Sequence, residues 1–321
     1  MLYLVSKATT PKFNLKSRTA SEKLVDVGFK NFVVAMASMV AVVLFSIFAV
    51  VYFEATESIS KYGLRFLFSS AWNPVTDEYG AFTAIYGTLF TSISSLLIAI
   101  PLGVGTALFI TENIIPKFLR NVIGLMVELL AAIPSVVLGL WAVFIMEPFI
   151  RPFLNTIYEI FGFIPFFGTQ PLGAGMLPAI LILVVMILPI ITSISKDALN
   201  QVPSQLRQAA YGVGASRWTT IFKVIIPAAI SGITGGVLLA LGRAMGETMA
   251  VTMIIGNSNN FSWSIFAPSY TISSMLANQF GEADGSQVSS LMYAALILML
   301  LTLMVNVFAQ WVVKKLSLKY Q

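Results

Sequence analysis

The chain has 321 residues, of which 57% are hydrophobic and only 10% charged, and its formal net charge is +5. A soluble domain carries roughly 25% charged residues, so this chain has too few to coat a water-facing surface. A soluble enzyme and a nucleic-acid-binding domain are both excluded, which leaves an all-α polytopic membrane protein. Neither cysteine nor histidine occurs, which removes disulfides, thiolate chemistry, HExxH metal sites and Ser-His couples. No metal and no cofactor is expected.

About 20 apolar helical residues cross a hydrocarbon core about 30 Å thick, and six windows fit. Residues 1–31 are basic, with Lys7, Lys12, Lys16, Arg18, Lys23 and Lys30. The first window, 32–53, is too long for a signal peptide and lacks a small-x-small cleavage site. A loop with Lys61 and Arg65 leads to the second window, 86–110, and Lys117 and Arg120 follow it. The third, 121–146, holds one charge, Glu128, about one-third of the way in. Six residues later comes Pro134, which frees a carbonyl one turn back that Ser135 can help satisfy. Residues 147–172 carry Arg151 and an apolar stretch, 153–161, that suits a segment lying flat at the interface. The fourth window is 173–194. The fifth, 230–255, is apolar apart from Arg243 and Glu247. The sixth, 291–313, is followed by Lys314, Lys315 and Lys319.

Six spans place both termini on one side. That side collects fifteen Lys and Arg residues, including Lys196, Arg207, Arg217 and Lys223 between the fourth and fifth spans, against three on the other. The positive-inside rule therefore makes both termini cytoplasmic in a cell-membrane protein. The expected division is a cytoplasmic segment 1–31, a six-span domain 32–313 and a cytoplasmic tail 314–321.

The connection 195–227 is far longer than two antiparallel helices need. Pro203-Ser204 supplies a breaker and a cap, 205–211 reads as a short helix, and Gly212 and Gly214 let the chain turn. From the helix pattern alone, a segment resting on lipid headgroups is an equal reading. Gln208-Ala209-Ala210, then Gly214, then Val224-x-Ile226-Pro227 resembles the EAA loop of ATP-binding-cassette importer permeases, with Gln208 where that family usually has Glu. The resemblance implies a coupling helix in which Gln208, Ala209, Ala210 and Gly214 serve docking to a separate ATPase subunit. Accordingly, no GxxxxGK[ST] phosphate loop occurs in the chain.

An arginine at the centre of a membrane helix costs about 2.5–3.5 kcal/mol on insertion scales, so Arg243 is a functional candidate by default. At 100° per residue, Gly232, Gly236, Ala240, Arg243, Glu247 and Ala250 share one small-residue face. Such a face admits a neighbouring helix closely, so the two charges should face protein or a water-filled path. They could neutralise each other as a lock between spans. Alternatively, the guanidinium fork stabilises a tetrahedral oxyanion in transit. Glu247 then favours phosphate, whose protonated forms offer an O–H to a carboxylate, over sulfate, which has none at neutral pH.

The stretch Glu128 to Val137, the turn Tyr211-Gly212-Val213-Gly214 and Gly242-Arg243-x-x-Gly246-Glu247-Thr248-Met249-Ala250-Val251 resemble phosphate importer permeases over most of 30–318. The Tyr79-Gly80-Ala81 and Ile85-Tyr86-Gly87-Thr88 stretch resembles the PstC type of the two paralogous permeases more than the PstA type. The resemblance implies a type I ABC importer permease fold, with Arg243 and Glu247 as pathway residues; Glu128 is a further pathway candidate. It also implies four kinds of partner: a second permease (PstA-like), two ATPase subunits (PstB-like), an extracytoplasmic phosphate-binding protein (PstS-like) and membrane lipid. Such a chain is not an enzyme. Rival readings are an importer for another oxyanion and an ATPase-independent channel or carrier.

Overall fold

The computed structural model describes residues 20–112 and 114–317. Lys7, Lys12, Lys16, Arg18 and Lys319 of the basic count lie outside the described residues. Among the described residues, six helical runs are long and apolar enough to cross a membrane. The chain divides into two compact units, 1–50 and 51–321. The first holds the N-terminal part of α1 (Ala20–Tyr62). Its side chains from Leu24 to Ile47 are exposed all round, and an apolar helix with no buried stripe suits lipid.

The second unit is built on α2 (Phe82–Thr111) and α6 (Met176–Asn200). On α2, Gly87, Thr91, Ser95, Ala99, Gly103 and Ala107 recur every four residues and are all buried. That ridge of small side chains lets α6 approach closely. A Cβ on Gly103 would stand 2.8 Å from Ile191 Cγ2, so only glycine fits. On the other side of α6 lies α9 (Ile226–Gly246). Gly232 and Gly236 meet Ala198 and Ile194 there, and Ala240 is fully buried. The expected small-residue face is real as far as Ala240. The last span, α12 (Ser286–Ser317), packs along α9 and is tied to the end of α1. Ser58 and Ser290 share a hydroxyl hydrogen bond of 2.9 Å, and the Ser289 hydroxyl donates to the Glu54 carbonyl.

One end of this unit carries a small hairpin, β1 (Trp72–Asn73) with β2 (Glu78–Tyr79). Its turn residue Asp77 has φ +53° and is held by the Lys61 ammonium and the Ser286 hydroxyl. Those two donors hold the Asp77 carboxyl below the ordinary carboxylate range, Lys61 first. The opposite end carries α7 (Ser204–Gly212) and the short α8 (Arg217–Thr220), which runs through a π turn into α9.

Two expected spans are corrected. The third is not 121–146: α3 (Lys117–Ala131) ends short of Pro134, and a new run begins as α4 (Ser135–Trp141) and continues through a π turn into α5 (Glu147–Phe161). Residues 153–161 are thus the far end of that 27-residue run rather than a flat interfacial segment. Hydropathy sums over a window and is blind to where a proline interrupts it. The fifth run is Arg217–Gly246, and the chain breaks there before α10 (Met249–Ile254).

Candidate functional site

Two helix interruptions meet in the second unit. At the first, Pro134 has no N–H to continue α3 and restricts Ile133 before it. Helix restarts at Ser135, with Pro134 as its cap residue (φ −59°, ψ 140°). At the second, Glu247 is extended (φ −68°, ψ 125°). Its Oε1 accepts the Ala250 N–H of α10 at 3.4 Å, and the Thr248 hydroxyl donates back to the Gly246 carbonyl. The polar side chains after Gly246 thus occupy backbone groups that a continuous helix would use. The two restarted helices lie against each other: a Cβ on Gly139 of α4 would come within 2.7 Å of Met253 Sδ and 3.0 Å of Ala250 Cα. Irregular backbone within a membrane is tolerated where it is buried in protein or lines an aqueous cavity.

Arg243 stands in the last turn of α9, beside both breaks. It lines a pocket of about 110 Å³ with Leu130, Ala131 and Ile133 from the first break and Pro189 and Ile190 from α6. Those α6 residues lie at the middle of a 25-residue helix, so the guanidinium is level with the mid-depth of the bundle. The side chain is exposed, and among the described residues no ion pair or hydrogen bond engages it. Glu247, only 8% exposed, lies beyond the end of α9 and is engaged with α10. The expected shared helical face for Arg243 and Glu247 is therefore corrected: the helix ends between them and the lock between them does not form.

Glu128 is also moved. It sits on α3, outside the third membrane run, and is exposed. Its Oε1 is 3.7 Å from Lys196 Nζ of α6.

At the opposite end, α7 closes with a complete glycine cap. The Ala215 N–H donates to the Ala210 carbonyl, the Gly214 N–H donates to the Tyr211 carbonyl, and Gly214 has φ +81°. This is the Schellman arrangement, and it explains the fixed spacing between the alanine pair and the glycine. Gln208, Ala209 and Gly214 are exposed, while Ala210 is buried. Gly212 is simply the last helical residue.

Sequence reasoning missed what anchors α7. Arg207 donates from Nη2 to Glu112 Oε1 and to the Leu199 carbonyl, each at 3.0 Å, from Nη1 to the Val202 carbonyl at 2.8 Å, and from Nε to Glu112 at 3.4 Å. It ties α7 to the end of α2 through Glu112 and to the carbonyls of Leu199, in the last turn of α6, and Val202, just past it. The signal was present: Arg207 is the one charge within α7, and Glu112 is the acid just past the second span. A positive-inside count treats Arg207 as topology only.

A family model described as "Binding-protein-dependent transport system inner membrane component" matches residues 99–318. The phosphate transport system permease protein PstC of Mesorhizobium japonicum is 44% identical over 289 residues, covering 88% of this chain and 88% of the relative. That of Pasteurella multocida is 37% identical over 313 residues, covering 96% and 98%. Among solved structures, a crystal structure of a bacterial alginate ABC transporter in complex with alginate pentasaccharide-bound periplasmic protein contains a similar chain. The TM-score is 0.61 at 15% identity, covering 92% of this chain and 97% of that one; this likeness shows the fold. The chain belongs to the binding-protein-dependent transport system inner membrane component family: it is a multi-pass membrane subunit with the ABC importer permease fold, and not an enzyme.

Proposed function

We propose that this chain is one permease subunit of an ATP-driven importer of inorganic phosphate. The observation that carries the reading is Arg243, a guanidinium without a protein partner among the described residues, held at mid-depth beside two helix interruptions. The names of the relatives at 37–44% identity support phosphate as the solute. A planar fork of donors suits a tetrahedral oxyanion. Glu247 fixes the geometry of the break through α10, and its second carboxylate oxygen keeps the capacity to accept an O–H from protonated phosphate.

The excess of Lys and Arg makes the α7 end and both termini cytoplasmic. A second permease completes the path, and two ATPase subunits and an external phosphate-binding protein complete the importer. The exposed side of α7, with Leu206, Gln208, Ala209 and Tyr211, docks in a groove of the ATPase. Ala210, buried behind that side, and Gly214 shape the helix end that is docked. When the ATPases close, α7 moves, and Arg207 passes the movement to the ends of α2 and α6. The pore then opens outward, phosphate enters from the binding protein, and Arg243 stabilises it in passage.

The test is uptake by the reconstituted complex in vesicles. ATP-dependent accumulation of phosphate, with excess sulfate a poor competitor, is expected. Equal competition by sulfate would make the chain a permease for oxyanions at large. Phosphate flux without the ATPase subunits would make it a channel or carrier.

A further inference from the structure

The break after α9 is held by side chains, and one of them comes from outside it. In an unbroken helix the Met245 carbonyl would accept the Met249 N–H, four residues on. Here it accepts the Ser273 hydroxyl at 3.2 Å, while the Gly246 carbonyl accepts the Thr248 hydroxyl and Glu247 accepts the Ala250 N–H. Glu247 and Thr248 belong to the break itself. Ser273 lies 28 positions away in sequence from Met245, on α11 (Ile272–Gln279), and is only 4% exposed.

Helix α11 is itself seated on α2. Its start is closed by a capping box: the Ser274 N–H donates to Thr271 Oγ1 at 3.1 Å, and the Thr271 N–H donates to Ser274 Oγ at 2.9 Å. The Ile272 N–H donates to Thr88 Oγ1 of α2 at 2.9 Å. A Cβ on Gly87 would run into the Tyr270 carbonyl just before α11, so the glycine lets this segment come down onto Thr88. The Gly87-Thr88 pair thus sets where Ser273 stands.

Arg243 shares the last turn of α9 with Met245. No ion pair or hydrogen bond to another side chain engages its guanidinium among the described residues, so the turn that carries it sets its height and direction. We infer that Ser273 is a positioning residue for the passage of phosphate: by occupying the Met245 carbonyl it keeps α9 from running on into α10, and so holds the turn of Arg243 in place. The inference rests on the functional reading of Arg243 above. Without the hydroxyl, the helical replacement donor is the Met249 N–H, and that bond rejoins α9 to α10.

The chain has no cysteine, a Cβ on Gly235 would meet nothing within 4 Å, and Met249 is exposed. Gly235→Cys with Met249→Cys therefore places one spin label on each side of the break. In one unbroken helix the two sites would stand about 21 Å apart. In the assembled importer, nucleotide-free and in vesicles, Ser273→Ala is expected to shift the label distance toward that of the unbroken helix. Ser273→Thr, which keeps the hydroxyl, is expected to leave it where it was. In the unlabelled importer, phosphate moved per ATP hydrolysed is expected to fall about fivefold in Ser273→Ala, the weight of one neutral hydrogen bond, and to return in Ser273→Thr. A label distance that Ser273→Ala leaves unchanged overturns the positioning role even where the importer works. So does a fall of uptake and ATP hydrolysis in step with a lower melting temperature, which marks a merely structural contact. If the unsubstituted importer moves no phosphate, the reading of Arg243 fails, and the positioning role falls with it.

Discussion

Arg207, at the root of α7, makes four hydrogen bonds to fixed partners, whereas Arg243, at the interrupted end of α9, makes none among the described residues. Both lie beside helix ends. Arg207 sits against the Leu199 and Val202 carbonyls and a carboxylate that is only 7% exposed, so its charge is satisfied and its position is set. Arg243 lines an open pocket with apolar walls. An arginine at mid-depth of a membrane protein without a protein partner is costly, and an open pocket leaves it free to pair with a mobile anion. The surroundings, and not the residue type, separate a rivet from a binding group.

That contrast can be broken experimentally. The largest effect is expected from Arg243→Gln: phosphate uptake falls to background in reconstituted vesicles while the complex assembles and its melting temperature holds. Loss of assembly would put Arg243 in the same structural class as Arg207. The reverse pattern is expected at the rivet. Arg207→Gln leaves the Glu112 carboxylate without its cation, a change worth about 3 kcal/mol for a buried pair. Thermal stability then drops, and ATP hydrolysis continues with little transport. The double variant Arg207→Gln/Glu112→Gln should recover much of the stability, because the stranded charge is gone.

Smaller effects sharpen the picture at each end. Gly214→Ala forces a side chain into a left-handed backbone and should cost about 1 kcal/mol, loosening the α7 cap and weakening ATPase co-purification. The smallest effect belongs to the exposed pair at the hairpin. The Asp77 carboxyl is held below the ordinary range by Lys61 and Ser286, so its contribution is complete above about pH 4. It is lost as pH falls through the depressed value. Trp72 fluorescence should report an acid transition in the wild type that Asp77→Asn lacks. An equal response in both would show that the hairpin does not depend on this pair.

Much of the scaffold was legible because its causes are local. Six apolar stretches follow from the length of hydrocarbon to be crossed, and the turn at Gly214 follows from the conformation only glycine adopts freely. The site was legible in its residues but not in its geometry. Arg243 stands out by charge alone, yet an unbroken 3.6-residue period placed Glu247 on its helical face, and nothing local announced that Glu247 would instead bond the start of α10. Likewise Glu128 lay in an apolar window, and only the break at Pro134 shows that α3 is a separate helix. The Glu112–Arg207 pair joins residues 95 positions apart, a separation no local pattern can read.

The sequence by itself determined that this chain lives in a membrane, how many times its helices can cross, and which of its charges needs an explanation. Those properties are sums over neighbouring residues: hydropathy, charge, and the backbone preferences of proline and glycine. The tertiary structure decided where helices stop, because a proline or a glycine-rich step only permits an interruption. The close contact of α4 with α10, possible because position 139 has no side chain, brings the two breaks together around one guanidinium.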